Sequence, residues 1–138
     1  MEKMVQSPPS VRMPGGLKGA LVAVWLQAAV NLVVAIVMFG MNRSDSDHGY
    51  TDDRALLLVA AWATLVAAVL LAAGALGTAA RRDWARRTVI GLELLSILSG
   101  VVLTLLGGAT QGLLGMVVAA AVIGGFSSTR AIGWVRGR

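Results

Sequence analysis

The chain contains no cysteine, which excludes disulfides, thiolate metal sites and thiol catalysis together. It has one histidine, His48, and the serines lie mainly elsewhere, so no Ser/His/Asp constellation can be drawn. Acid–base and nucleophilic mechanisms need convergent groups that are missing here; no enzymatic activity is expected. No strand-like segment precedes a Gly-rich turn, which removes the phosphate-loop reading, and no cofactor is expected. Charge is scarce as well, at 14% of residues. All three prolines fall within "MEKMVQSPPSVRMPGG", which has no apolar period, so residues 1–16 are expected to form a disordered cytoplasmic tail.

What is abundant is apolar. The 138 residues suffice for one domain, yet 57% of them are hydrophobic and the mean hydropathy is +0.76. A soluble fold of this size leaves too much of its chain exposed to hide that surface. The apolar residues also come in blocks: "LKGALVAVWLQAAVNLVVAIVMFG", "ALLLVAAWATLVAAVLLAAGALGTAA", "TVIGLELLSILSGVVLTLLGG" and "LLGMVVAAAVIGGF". About 20 residues at 1.5 Å rise cross a hydrocarbon core of ~30 Å. The expected fold is therefore all-α, a four-helix transmembrane bundle over residues 17–126, with helices at about 17–40, 55–80, 88–108 and 109–126 and a basic cytoplasmic tail over 127–138. The first block exceeds the ~7–15-residue apolar core of a signal peptide. No A-x-A site precedes "MNRSDSDHGY", and the block is read as a retained helix.

Orientation follows from the basic residues. The N-terminal segment (Lys3, Arg12, Lys18), the second connection (Arg81, Arg82, Arg86, Arg87) and the C-terminal tail (Arg130, Arg136, Arg138) fall on one side and carry ten of the twelve. The other side has Arg43 and Arg54. By the positive-inside rule both termini are expected in the cytoplasm of a multi-pass cell-membrane protein. That asymmetry also accounts for the pI of about 11.1 without a nucleic-acid partner. Trp84 and Trp134 lie on the basic side, where indoles favour the headgroup layer, and are expected as interface anchors. The final "STRAIGWVRGR" either lies on the inner membrane surface, held by anionic lipid, or frays.

One carboxylate, Glu93, sits inside an apolar run. At about 100° per residue, Ser96 lies within about 60° of it, Gly100 and Thr104 within about 20°, and Gly107 within about 40°. The opposite side is Leu, Ile and Val, so Glu93 faces protein rather than lipid. The first helix carries Gln27 and Asn31, four apart on one face. Counted from Lys18, Gln27 lies ~13 Å deep; counted from Thr88, Glu93 lies ~7 Å and Ser96 ~12 Å deep. Gln27 is therefore placed to meet Ser96 or the Glu93 carboxyl if the two helices are neighbours. Helix 2 adds a small-residue row, Ala60, Thr64, Ala68 and Ala72, and helix 4 adds Gly115 and Ala119, with Gly112, Ala120 and Gly124 nearby.

Three readings of Glu93 compete. In the leading one it is structural, snorkelling or paired with Arg86, Arg82 or Arg130 at the same surface. In the second it is a desolvated site for a proton or a cationic solute. In the third it is a contact within a homo-oligomer or with a membrane-protein partner. The connection "NRSDSDHGYTDDR" invites a metal reading, but the calcium-loop spacing wants Asp or Asn at 49 and Gly at 50, where the chain has Gly49 and Tyr50. No metal is expected.

"RRDWARRTVIGLELLSILSG" together with "GLLGMVVAAAVIGGFSSTRAIGWV", and more loosely "VWLQAAVN", resembles a recurrent type of small four-helix integral membrane protein of high-GC actinobacteria. The resemblance spans roughly residues 81–135 and marks Trp84, Arg87, Glu93 and Arg130. It implies membrane localisation and, since that family has no assigned activity, no chemistry. The small multidrug resistance transporters also share four short helices and a membrane carboxylate. Theirs lies in the first helix, where this chain has Gln27 and Asn31. The sequence thus points first to a non-enzymatic accessory or assembly partner embedded in the lipid bilayer, and second to a small proton- or cation-coupled transporter using Glu93.

Overall fold

The computed structural model describes residues 12–48, 54–106 and 109–137. They form five helices, α1 (Gly15–His48), α2 (Arg54–Ala79), α3 (Asp83–Leu105), α4 (Ala109–Ser127) and α5 (Thr129–Arg136), with no strand among the described residues. The long helices touch in the cyclic order α1–α2–α3–α4–α1, and α5 folds back beneath α4. Two helices are long and apolar enough to cross a membrane, over Gly15–Arg43 and Arg54–Ala79. Leu113–Ser127 and Thr129–Arg136 make a third if the pair, bent by 54°, forms one span. In hydrocarbon every backbone group must be satisfied internally, and helices of Leu, Val and Ala do this without help from side chains.

The boundaries depart from the sequence expectation in three places. α1 runs on through 41–48, where neither proline nor glycine interrupts it and Gly49 follows. The second connection is shorter than it looked, because Arg86 and Arg87 already belong to α3 and only residues 80–82 link α2 to it. The basic segment 127–138 is not a tail: residues 129–136 form α5, capped by the Ser128 hydroxyl, which accepts from the Ala131 amide at 3.2 Å. Most of the tail expected over residues 1–16 lies outside the described residues, as does the connection 49–53.

The helix termini explain how the chain turns so tightly. At the end of α2 the Arg81 amide donates to Thr78 O at 2.9 Å and the Arg82 amide to Gly77 O at 2.8 Å. This is the paired 5→2 and 6→1 arrangement of a Schellman cap. Its left-handed position is occupied by Arg81, φ 58°, where glycine is usual.

The tightest packing lies near this turn. A Cβ on Gly74 would stand 2.5 Å from Val89 Cγ2, and one on Gly77 would stand 2.5 Å from Ala85 Cβ, so α2 and α3 touch through missing side chains. Gly125 plays the same part for α1 and α4, facing Ala20 Cβ at 2.5 Å and Gly16 O at 2.9 Å. Close approach of this kind is what holds helices together where no hydrophobic drive exists between them. Around these crossings lies the core, formed by Leu17, Leu21, Val24, Leu71, Val89, Val122, Phe126 and Trp134. All belong to one end of the molecule, called here the arginine end. Towards the other end large apolar side chains are exposed, among them Leu56, Leu105 and Leu114. Contacts between α1 and α2 persist there, with Ala35 and Ala61 fully buried and Phe39 edge-on to Trp62 at 5.3 Å.

Candidate functional site

Glu93 is the feature around which the polar residues arrange themselves. It is only 1% exposed, so the expectation that it faces protein holds in its strong form. The Gln27 side-chain amide donates to Glu93 Oε2 at 3.3 Å. α1 and α3 are not the principal neighbours of one another; Gln27 reaches across from α1 to make this contact. The other oxygens of the pair, Glu93 Oε1 and Gln27 Oε1, are buried with no hydrogen-bond partner among the described residues. An orphaned buried acceptor costs ~1–3 kcal/mol.

The candidate arginine partners do not meet the acid. Arg86, buried despite its charge, bonds Asp83 through Nε at 3.1 Å and donates from Nη1 to Phe126 O at 3.3 Å. Its guanidinium thus satisfies a carbonyl at the C-terminal end of α4, where a helix has orphan acceptors and a negative partial charge. Arg87 bridges Asp83 at 2.7 Å, and no ion pair joins Glu93 to Arg82, Arg86 or Arg130 among the described residues. The structural ion-pair reading of Glu93 is corrected on this point. Asp83, in the first turn of α3, takes the arginines instead, and the Arg86 hydrogen bond, aided by Arg87, holds its carboxyl below the usual carboxylate range against a smaller opposing effect of burial.

The two tryptophans diverge. Trp84 is exposed at the arginine end. Trp134 is not the expected interface anchor: it is 7% exposed, packed in the core by the fold-back of α5, with the Arg81 guanidinium 4.7 Å above its ring. The left-handed cap at Arg81 positions the charge there.

Towards the open end, one helical turn beyond the Gln27–Glu93 contact, lies a half-open cavity of about 470 Å³ lined from all four long helices, with Ala63, Leu95, Ser96, Ser99 and Gly115 exposed along it. Asn31, Thr64, Ser96 and Ser99 line it with Leu71, Leu92, Leu95, Gly100 and Gly115. Asn31 follows Gln27 by four residues and Ser96 follows Glu93 by three, so the cavity and the buried pair are successive layers on the same two helices. The structure therefore brings together all four residues of the candidate polar site, Glu93, Ser96, Gln27 and Asn31, in two adjoining layers. It adds Thr64 and Ser99, which sequence reasoning did not assign to the site. In the sequence Thr64 stands only in a small-residue row, and its spacing to Leu71 on α2 is the available signal. Gly74, Gly77 and Gly125 were also missed as close-contact points. The Gly74-x-x-Gly77 pair beside the arginine turn was their visible trace. No protein family, curated protein or solved structure matches the chain, and what this site does is read from its own geometry.

Proposed function

We propose that the chain is a non-enzymatic, multi-pass cell-membrane protein that binds a cationic solute or a proton at Glu93. The observation carrying this reading is the setting of the acid: buried, accepting through one oxygen from Gln27 with no other partner among the described residues, and next to a half-open cavity with Asn31, Thr64, Ser96 and Ser99 in its lining. A carboxyl in such a position is a functional group by default when its helix crosses a bilayer. Two helices, or three with the bent pair, meet the length and hydropathy a span requires. We take α3 as a further span, because residues 88–105 cover ~27 Å at 1.5 Å per residue with Glu93 as their one charge. With the bent α4–α5 pair counted as one span, the whole is then a transmembrane bundle of four spans. The charge asymmetry supports cytoplasmic termini, and the contacts of Arg81 with Trp134, of Arg86 with Phe126 O and of Gly125 with Gly16 and Ala20 are in keeping with it, since they bring α5 and the start of α1 to the arginine end. The resemblance to small four-helix actinobacterial membrane proteins fits this picture, with Trp84, Arg87 and Arg130 as exposed residues at the arginine end.

A second reading keeps the protein as an accessory or assembly partner. It is favoured by the small residues in the cavity lining, Ala63, Ala67, Ser99, Gly100 and Gly115, the type of surface on which a helix of a partner or a second copy packs. One substitution separates the two. In proteoliposomes, Glu93→Gln abolishes cation-driven or proton-driven flux and leaves yield and oligomeric state unchanged if the acid is a binding site. Flux that survives the change, or no flux with the wild type and an altered oligomeric state with the variant, favours the accessory role.

A further inference from the structure

The geometry points to a small organic ammonium ion as the ligand of the cavity among α1, α2, α3 and α4, its head turned toward Glu93. This rests on the cation-binding reading above and narrows it to a ligand that carries N–H donors.

The argument is a census of donors and acceptors. Thr64 spends its hydroxyl proton on Ala60 O at 2.8 Å, and Ser96 spends its own on Leu92 O at 3.0 Å. Each then offers only lone pairs to the cavity. Glu93 Oε1 and Gln27 Oε1 are orphaned acceptors in the layer beneath. Asn31 and Ser99, which can both give and accept, are engaged by no hydrogen bond among the described residues. The lining contains neither lysine nor arginine, so an anion would find no countercharge. A ligand that completes this set must bring donors, and the Glu93 carboxyl one turn below supplies the opposite charge if it is a cation.

The remaining walls set its body. Ala63, Ala67, Leu71, Leu92 and Leu95 are apolar and suit a short alkyl chain. A volume of about 470 Å³ lies within the ordinary range for a small-molecule site. A metal ion would leave most of that volume and its apolar wall unused. Water alone would satisfy the acceptors but not fill the space between the leucines.

The test uses the full chain in nanodiscs of zwitterionic phosphatidylcholine, with radiolabelled n-butylammonium in equilibrium dialysis. Tetramethylammonium is the control, because it has the same atoms and charge and no N–H group. We expect saturable binding of one n-butylammonium per chain and at least about tenfold weaker binding of tetramethylammonium. Glu93→Gln should weaken n-butylammonium binding by at least about tenfold. Asn31→Leu, which removes a polar group from the lining without touching the Gln27–Glu93 bond, should do the same. If both isomers bind alike and both need Glu93, the donor argument is overturned while the cation-binding reading stands. If binding is equal in the wild type and both variants, the cavity is not the site and the inference fails. If no cation binds and no Glu93-dependent flux is seen, both fall together.

Discussion

Gly125→Ala provides the sharpest stability test of how the helices are held. The new Cβ would stand 2.5 Å from Ala20 Cβ and 2.9 Å from the Gly16 carbonyl oxygen. Comfortable contact between carbon atoms begins at about 3.5 Å, so α1 and α4 must separate by about 1 Å where they cross. Neither neighbour can yield by turning a side chain, since one is a Cβ and the other is backbone. Overpacking of this kind costs about 1–3 kcal/mol. Alanine is also favoured over glycine within a helix by about 1 kcal/mol, which hides part of the loss. Gly91→Ala on α3 supplies the correction, because a Cβ there meets nothing within 4 Å. The difference between the two variants isolates the steric cost, and about 1–3 kcal/mol in favour of Gly91→Ala is expected. Reversible unfolding in mixed micelles, followed by far-ultraviolet circular dichroism, measures it. Equal stability of the two variants would refute the close α1–α4 crossing.

Four further outcomes follow from the arginine end. Arg86→Ala should lower stability by about 2 kcal/mol, because it removes a charge-assisted bond to the Phe126 carbonyl in a buried setting. Arg87→Ala, whose exposed bridge to Asp83 is of the weak surface kind, should change stability by less than about 0.5 kcal/mol in the same unfolding assay. At Arg81, glycine relieves the left-handed backbone and loses the stacking on Trp134, while alanine keeps the strain and loses the stacking, so Arg81→Ala should be the less stable variant by about 1 kcal/mol in a paired comparison. The carboxyl of Asp83 titrates lower in the folded chain than in the unfolded one, so its contribution is complete above the unfolded value and is lost as pH falls through the folded value. An acid titration of stability should therefore show wild type and Asp83→Asn separated near neutrality and converging below the ordinary carboxylate range.

Much of this was legible from residue type and spacing. Apolar runs reveal helices because a helix in hydrocarbon must satisfy its own backbone and needs nothing but length and apolar side chains. The inward face of Glu93 and the reach of Gln27 were legible from the helical period and from depth counted along two helices running in the same direction. The partner of Arg86 was not, since a carbonyl oxygen of Phe126 leaves no mark in the sequence. Proximity to Glu93 along the chain suggested a pairing that the fold spends on Asp83 instead. α5 was hidden for another reason: eight residues are too few to show a period clearly, and its apolar face becomes meaningful only when the chain turns by 54° between α4 and α5 and presents that face to the core. Close glycine contacts are similarly invisible, because in a chain with 17 glycines only the fold decides which ones another helix approaches.

The central claim is that Glu93 answers to Gln27 and not to an arginine. Two double-mutant cycles measure this directly, one pairing Gln27→Leu with Glu93→Leu and the other pairing Arg86→Leu with Glu93→Leu, both read as unfolding free energies. Polar contacts between membrane helices couple by about 0.6 kcal/mol on average and by as much as about 1.7. The account predicts a coupling in that range for Gln27 and none beyond error for Arg86. Coupling confined to Arg86 would contradict it and return the acid to the role of a structural ion pair.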